Sequence, residues 1–232
     1  MWAILLAAIG AGFGLFLSLA SPRLVTGKGR LLAPACPACG KPLRPLDLLR
    51  GRSACRAVLG WQAPVLTLIG AGLGAVAGLR LAAPVPAAYA ALALWVLLGV
   101  SATDIGHRII PDSLLLVGAL LAGALLFALP RASYVSHLEG MGLLFAITFV
   151  VALISGGGMG GGDVKLAAYM GLVLGLVPGV AAFLTGGLLG GLYGLGLLVA
   201  RKGGLRDTFA FGPFLAGGAA LILLIAPALS GL

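Results

Sequence analysis

The sequence predicts an all-α, polytopic membrane protein with about eight transmembrane helices, and three observations lead to this fold class. Of the 232 residues, 61% are hydrophobic and only 9% are charged. A soluble domain carries about a quarter charged residues, so this chain has too little polar surface to enclose a soluble core. The mean hydropathy is +1.17. The apolar residues also fall into runs of about 20, the length that a helix needs to cross a bilayer.

Eight apolar runs are predicted to form the spans. They cover residues 1–20, 63–82, 86–104, 112–130, 138–156, 164–177, 179–200 and 209–230. The sixth run is short, and its boundary is expected at Pro178. The 39 glycines are abundant within the runs, where they let helix backbones approach closely. Because no Lys or Arg precedes the first run, we interpret it as a retained helix rather than a cleaved signal.

The basic residues predict the orientation of the chain. All fifteen lysines and arginines except Arg80 and Arg131 fall on one side of the predicted spans. By the positive-inside rule this side is cytoplasmic, and both termini lie outside. We interpret the net charge of +9 as a topology signal beside anionic lipid, so no nucleic-acid partner is expected. The expected domains are a first transmembrane helix (1–20), a cytoplasmic basic loop (21–62) and a seven-helix membrane domain (63–232).

Two of the six acidic residues stand out. Asp104 ends the apolar run "AALALWVLLGVSATD" at a helix C-terminus, where the helix dipole disfavours negative charge. Asp163 follows the glycine-rich stretch "GGGMGGG" and would also serve as the N-cap of the sixth helix. The predicted topology puts both at the cytoplasmic boundary of the membrane. Two carboxylates at one partly desolvated depth can share a proton and activate water for attack on a peptide carbonyl.

The other acids have ordinary interpretations. Asp112 follows a proline and precedes "SLLLVGALL", so it is predicted to cap a helix N-terminus. Glu139 and Asp207 lie at loop–helix junctions, and Asp47 lies in the basic loop.

Three residues around Asp163 are candidates for supporting roles. Gly160 and Gly162 would let an extended substrate strand approach the backbone closely. Lys165 would pair with Asp163, contact the substrate or anchor the helix at the membrane interface, and these three interpretations stay open.

On these residues the sequence resembles the type IV prepilin peptidase family, membrane aspartic proteases of the GxGD type. The stretch "GGGDVKL" (160–166) is similar to the family's GxGDxKL motif. The stretch "DIGHRIIPDSL" (104–114) is similar to a pattern in which Pro-Asp follows the first aspartate by seven residues. A third match is "FAFGPFLAGGA" (209–219) in the last helix. In the family pattern the first aspartate is catalytic, which implies Asp104 and Asp163 as the pair rather than Asp112.

The resemblance implies a function. It implies a membrane-embedded aspartic endopeptidase that removes the short basic leader of type IV prepilins and pseudopilins, typically after a glycine. Its partners would be these precursors and the lipid bilayer, and its active site would face the cytoplasm from the bacterial inner membrane. No cofactor is expected for proteolysis. Many family members then methylate the new N-terminus with S-adenosylmethionine.

The cysteines leave zinc binding open. Cys36 and Cys39, in "CPACG", have the spacing of zinc ligands. Family members often carry a second CxxC pair in this loop, but here only Cys55 follows, and Val58 stands where its partner would fall. Three thiolates do not complete a tetrahedral site, and the fourth ligand would be His107, water or a residue from another molecule. Methyl transfer stays open for the same reason.

Two other functions are alternatives. A proton-coupled membrane carrier would use the two aspartates as a relay, but no acid lies near a span centre and no inverted repeat of broken helices is evident. A methyltransferase or assembly scaffold would have lost proteolysis, which the intact aspartates argue against.

Overall fold

A computed structural model describes residues 1–26, 47, 62–81, 83–129, 133–156, 158–200 and 210–225. Within these ranges every regular element is helical, which confirms the predicted all-α class. The helices are α1 (Trp2–Thr26), α2 (Gln62–Arg80), α3 (Pro84–His107), α4 (Asp112–Leu126), α5 (Tyr134–Ile154), α6 (Gly161–Leu174), α7 (Leu176–Val199) and α8 (Gly212–Ile225). The chain divides into two compact units, Met1–Trp95 and Val96–Leu232, with the boundary inside α3.

Five of these helices are long and apolar enough to cross a membrane. They contain the segments Trp2–Ala20, Gln62–Arg80, Pro84–His107, Tyr134–Ile154 and Leu176–Val199. The helices α4, α6 and α8 have 15, 14 and 14 residues and are shorter than a full span. The chain is therefore a helical membrane protein, and five of the eight expected spans reach full length.

In the first unit, glycines hold α1 and α2 in close contact. A Cβ on Gly10 would collide with the backbone of Gly70, and a Cβ on Gly74 would collide with the backbone of Leu6. Residue numbers fall along α1 as they rise along α2, so the two helices are antiparallel. Trp95 donates from Nε1 to the carbonyl oxygen of Gly70 at 3.0 Å. The predicted use of glycine for helix packing is confirmed at this contact.

In the second unit, α6 is the central helix and contacts α4, α5, α7 and α8. Its residues beyond the first turn are mostly buried, including Leu166, Tyr169 and Met170. The backbones of α5 and α6 meet at Gly140 and Gly171, where a Cβ on either would collide with the other helix. The neighbouring helices thus cover most of α6, whereas Asp163 in its first turn is half-buried.

The expected boundary at Pro178 is wrong, because the chain breaks between α6 and α7 at Gly175. Gly175 has φ 86° and ψ −178°, a conformation that residues with a side chain rarely adopt. The Oγ of Ser136 accepts the N–H of Leu176 at 3.1 Å and so satisfies a free amide at the start of α7. Pro178 lies in the first turn of α7, where its missing N–H would have had no intrahelical partner.

Candidate active site

Asp104 lies in the last turn of α3 and is only 6% exposed. A carboxylate there faces the negative end of the helix dipole, which is unfavourable. The N-terminus of α8, which also lies at the site, offsets this unfavourable effect. Gly212, the first residue of α8, donates its backbone N–H to Oδ2 of Asp104 at 2.9 Å. The buried carboxylate is therefore held by the positive end of a different helix.

Asp163 is the third residue of α6, and the N-cap of that helix is Gly160. The expectation that Asp163 is itself the N-cap is therefore wrong by three positions. Its carboxylate instead reaches back and accepts a hydrogen bond from the backbone of Gly160. This geometry resembles the return half of a capping box, in which an acidic residue in the first turn satisfies the N-cap amide.

The two aspartates influence each other directly. Asp163 is half-buried and lies outside the five helices that are long enough to span a membrane. Burial first, and then the charge of Asp104, raise the pKa of Asp163 to about 6, whereas the hydrogen bond from Gly160 lowers it. Two carboxylates that interact in this way do not both ionise easily, so the pair retains one proton at mildly acidic pH. This arrangement is the one expected of a general acid and a general base.

The glycines before Asp163 allow close packing at the site. A Cβ on Gly160 would lie 3.3 Å from Oδ2 of Asp163, and a Cβ on Gly162 would lie 3.0 Å from the Cβ of Ile110. Gly161, between them, has no such neighbour within 4 Å. Gly162 therefore lets the segment after α3 rest against the first turn of α6. This contact connects the two elements that carry the aspartates.

Lys165 pairs with Asp112, so the expected pairing with Asp163 is wrong, whereas substrate contact and anchoring at the membrane interface stay predictions. Its Nζ lies 2.7 Å from Oδ2 of Asp112, not in a pair with Asp163. Asp112 is the first residue of α4 and does not cap it, because the N-cap is Pro111. The ion pair joins the first turns of α4 and α6 at the exposed edge of the site.

The segment that follows α3 contains a residue in an unusual backbone conformation. Arg108 has φ 54°, and among the described residues it is the non-glycine residue with positive φ. Its N–H still donates to the carbonyl oxygen of Asp104 at 2.8 Å. Such conformations cost about 1–3 kcal/mol and persist where the surroundings enforce them, often at functional sites.

The candidate zinc ligands Cys36, Cys39 and Cys55 lie outside the described residues. His107, considered as a fourth ligand, is exposed at the end of α3. Among the residues that the structure describes, no group of three His, Cys, Asp or Glu side chains is arranged to hold a metal ion. Zinc binding by the cysteines stays a prediction.

Sequence reasoning did not find the role of Gly212. The stretch around it was singled out as a motif, but its partner, Asp104, is 108 residues away. The N–H groups in the first turn of a helix have no acceptor within that helix, so a free donor near Gly212 can be predicted from the sequence. The acceptor of this donor cannot be predicted, because it depends on how α8 packs.

A helical membrane chain with two electrostatically coupled aspartates, one of them buried, has the features of a membrane aspartic peptidase. The family model for the type IV leader peptidase family matches residues 91–195, which include both aspartates. The prepilin leader peptidase/N-methyltransferase of Bacillus subtilis is 30% identical over 205 residues, 84% of this chain and 83% of that protein. The chain therefore belongs to the type IV leader peptidase family.

Two further relatives carry the same name. The protein of Burkholderia pseudomallei is 36% identical over 207 residues, 82% of this chain and 66% of its own. The protein of Aeromonas salmonicida is 30% identical over 197 residues, 78% of this chain and 67% of its own. No solved structure matches the chain.

Proposed function

We propose that this protein removes the short basic leader from type IV prepilins and pseudopilins at the cytoplasmic face of the bacterial inner membrane. The observation that carries the proposal is the pair formed by Asp104 and Asp163. One carboxylate is buried, the other is half-buried, and the charge of the first raises the pKa of the second. Both lie in the segment that matches the type IV leader peptidase family, and the relatives are named for prepilin processing.

The pair is suited to hydrolysis by activated water. The ionised carboxylate takes a proton from water as the water oxygen attacks the scissile carbonyl carbon, while the protonated carboxyl gives its proton to the carbonyl oxygen. When the tetrahedral intermediate collapses, the C–N bond breaks. The proton taken from water passes to the leaving nitrogen, and the hydroxyl proton returns to the second carboxylate. Water and peptide thus become a new carboxyl group and a new amine, and the pair is restored.

The charge distribution supports a cytoplasmic site. Positive residues are retained on the cytoplasmic side, and all but Arg80 and Arg131 fall on the side of the two aspartates. A basic leader is held on that side by the same rule. We propose eight spans, with 1–20 as the first helix, 21–62 as a cytoplasmic loop over the leader and 63–232 as the peptidase domain. Within this domain, the glycines Gly160 and Gly162 shape the path of the substrate.

The names of the relatives include a second activity, that of an N-methyltransferase. In this chain it would use S-adenosylmethionine, and Cys36, Cys39 and Cys55 would supply three thiolates to a zinc ion in the loop. Transfer of a labelled methyl group to the cleaved peptide, measured with and without added zinc, decides whether this activity accompanies proteolysis.

The test of the proposed function is cleavage of a leader peptide by the purified protein in detergent. The substrate is a synthetic prepilin segment with its basic leader and the first apolar residues of the mature chain. The control peptide carries valine in place of the glycine before the scissile bond. We expect mass spectrometry to find a single cut after the glycine and none in the control. If the folded protein cuts no leader peptide, the proposal fails, and ion uptake in proteoliposomes tests the carrier alternative.

A further inference from the structure

One contact ties the last helix of the chain to the buried aspartate. The N–H of Gly212 donates to Oδ2 of Asp104 at 2.9 Å, and the bond is buried. Gly212 begins α8, so its N–H has no acceptor within its own helix. The bond uses a donor that the helix leaves free, and it places the positive end of the α8 dipole at a carboxylate. A hydrogen bond between a backbone N–H and a carboxylate is stronger when the carboxylate is ionised.

The same position has no room for a side chain. A Cβ on Gly212 would lie 2.8 Å from Oδ2, 3.3 Å from Cγ and 3.4 Å from the Cβ of Asp104. The first distance is closer than Cβ atoms come to other heavy atoms, so the carboxylate or α8 would have to move. Gly212 thus supplies the donor and also the space in which Asp104 sits.

We propose that Gly212 is a positioning residue of the active site, which fixes Asp104 and keeps it ionised so that Asp104 is the base and Asp163 carries the proton. The inference rests on the proposed peptidase function. It assigns a different role to each carboxylate, which neither the sequence nor the family match does. Asp104 then takes the proton from the attacking water, and Asp163 gives its proton to the carbonyl oxygen.

The charged groups that face Asp104 are consistent with these roles. On its own helix, the guanidinium of Arg108 interacts with the Asp104 carboxylate one turn further on. From α6, Asp163 presents the second carboxylate. From α8, the N–H of Gly212 is the donor. Arg108 and the N–H of Gly212 both favour the charged form of Asp104, whereas the burial of its carboxylate acts in the opposite direction.

The first test compares two alanine variants on the same helix. Gly212→Ala adds a Cβ against the carboxylate, whereas Gly217→Ala adds one where no neighbour lies within 4 Å. Alanine keeps the N–H, but its Cβ should push the carboxylate away from this donor, so we expect Gly212→Ala to lower kcat for the leader peptide about 100-fold, as for a lost preorganised donor, with little change in KM. The acid limb of its pH–rate profile should move to higher pH, because the displaced carboxylate no longer receives the hydrogen bond that stabilises its ionised form. Gly217→Ala should match the wild type, and a Gly212→Ala variant with the wild-type kcat and pH profile overturns the proposal.

The second test needs no substitution at position 212. Only two of the nine phenylalanines precede a glycine, in the pairs Phe13-Gly14 and Phe211-Gly212. Labelling with carbonyl-¹³C phenylalanine and ¹⁵N glycine therefore gives two amide signals. We expect the Gly212 proton to move upfield in Asp104→Asn, while the Gly14 signal stays in place as the reference.

The two tests separate the failure of this inference from the failure of the proposed function. If the wild type cleaves leader peptides but the Gly212 signal does not respond to Asp104→Asn, the function stands and the positioning role is overturned. If the wild type cleaves nothing, the function fails, and the amide signal still decides whether Gly212 holds Asp104. The amide measurement also decides the point if Gly212→Ala does not fold.

Discussion

Lys165 and Asp112 form an ion pair across the edge of the site, with 2.7 Å between Nζ and Oδ2. The side chains are 52% and 69% exposed. An exposed pair of this kind contributes about 0–1 kcal/mol, so it does not hold the bundle together. Its position is more informative, because it joins the first turns of α4 and α6 next to the aspartates. We infer that it keeps these two turns in register.

The first prediction concerns this pair. Lys165→Met and Asp112→Asn should each lower kcat/KM for the leader peptide by at most about fivefold, the rate equivalent of 1 kcal/mol. The double variant should be no slower than either single variant, because one interaction is lost in all three. A Lys165→Met variant that is nearly inactive beside an active Asp112→Asn would mean that Lys165 contacts the substrate.

The second prediction is a pH dependence. The pKa of Asp163 is raised from its ordinary value to about 6, so the folded pair keeps its proton below that pH and loses it above. If Asp163 must be protonated to act as the acid, kcat/KM should fall as the pH rises through about 6, since kcat/KM reports the free enzyme. A pH–rate profile from 4.5 to 8 in about half-unit steps measures this. A rate that climbs steadily across this range would contradict the assignment.

The third prediction uses neighbouring glycines of α6. Gly162→Ala adds a Cβ 3.0 Å from the Cβ of Ile110 and should reduce both the thermal midpoint in detergent and the rate of cleavage. Gly161→Ala meets no neighbour within 4 Å and should be neutral or slightly stabilising. Combining Gly162→Ala with Ile110→Ala should recover part of the lost activity. Equal behaviour of the two single variants would show that the contact with Ile110 does not matter.

The fourth prediction tests the break between α6 and α7. Gly175→Ala places a side chain at φ 86°, and a left-handed conformation costs about 1–2 kcal/mol for a residue with a Cβ. We expect a lower thermal midpoint in detergent. Gly187→Ala, in α7 with open space around its Cβ, is the matched control and should not be destabilised. No difference between the two variants would contradict the strained break at Gly175.

The sequence was sufficient for the properties that depend on composition and on residues close in the chain. The all-helical class and the approximate places of the helices followed from hydrophobic runs. The positive charges predicted only that Asp104 and Asp163 lie on one side of the membrane, and the family resemblance pointed to them as a pair. Glycine-mediated packing followed from the abundance of glycine within the runs.

Other features depend on packing between distant segments and could not be predicted. Lys165 forms its ion pair with Asp112 and not with the neighbouring Asp163, because α4 and α6 start side by side. Gly212 became a donor to Asp104 because α8 begins at the end of α3. The break fell at Gly175 rather than at Pro178 because a proline is tolerated in the first turn of a helix.

The measurement that tests the central claim most directly is leader-peptide cleavage by Asp104→Asn and Asp163→Asn beside Glu139→Gln. Glu139 is exposed on α5 and serves as a carboxylate control with no part in the proposed chemistry. Both aspartate variants should fold in detergent but lose about 100- to 10,000-fold in rate, as loss of a general acid or base does. Glu139→Gln should retain the wild-type rate. Cleavage at the wild-type rate by either Asp104→Asn or Asp163→Asn would contradict the aspartate pair as the catalytic centre.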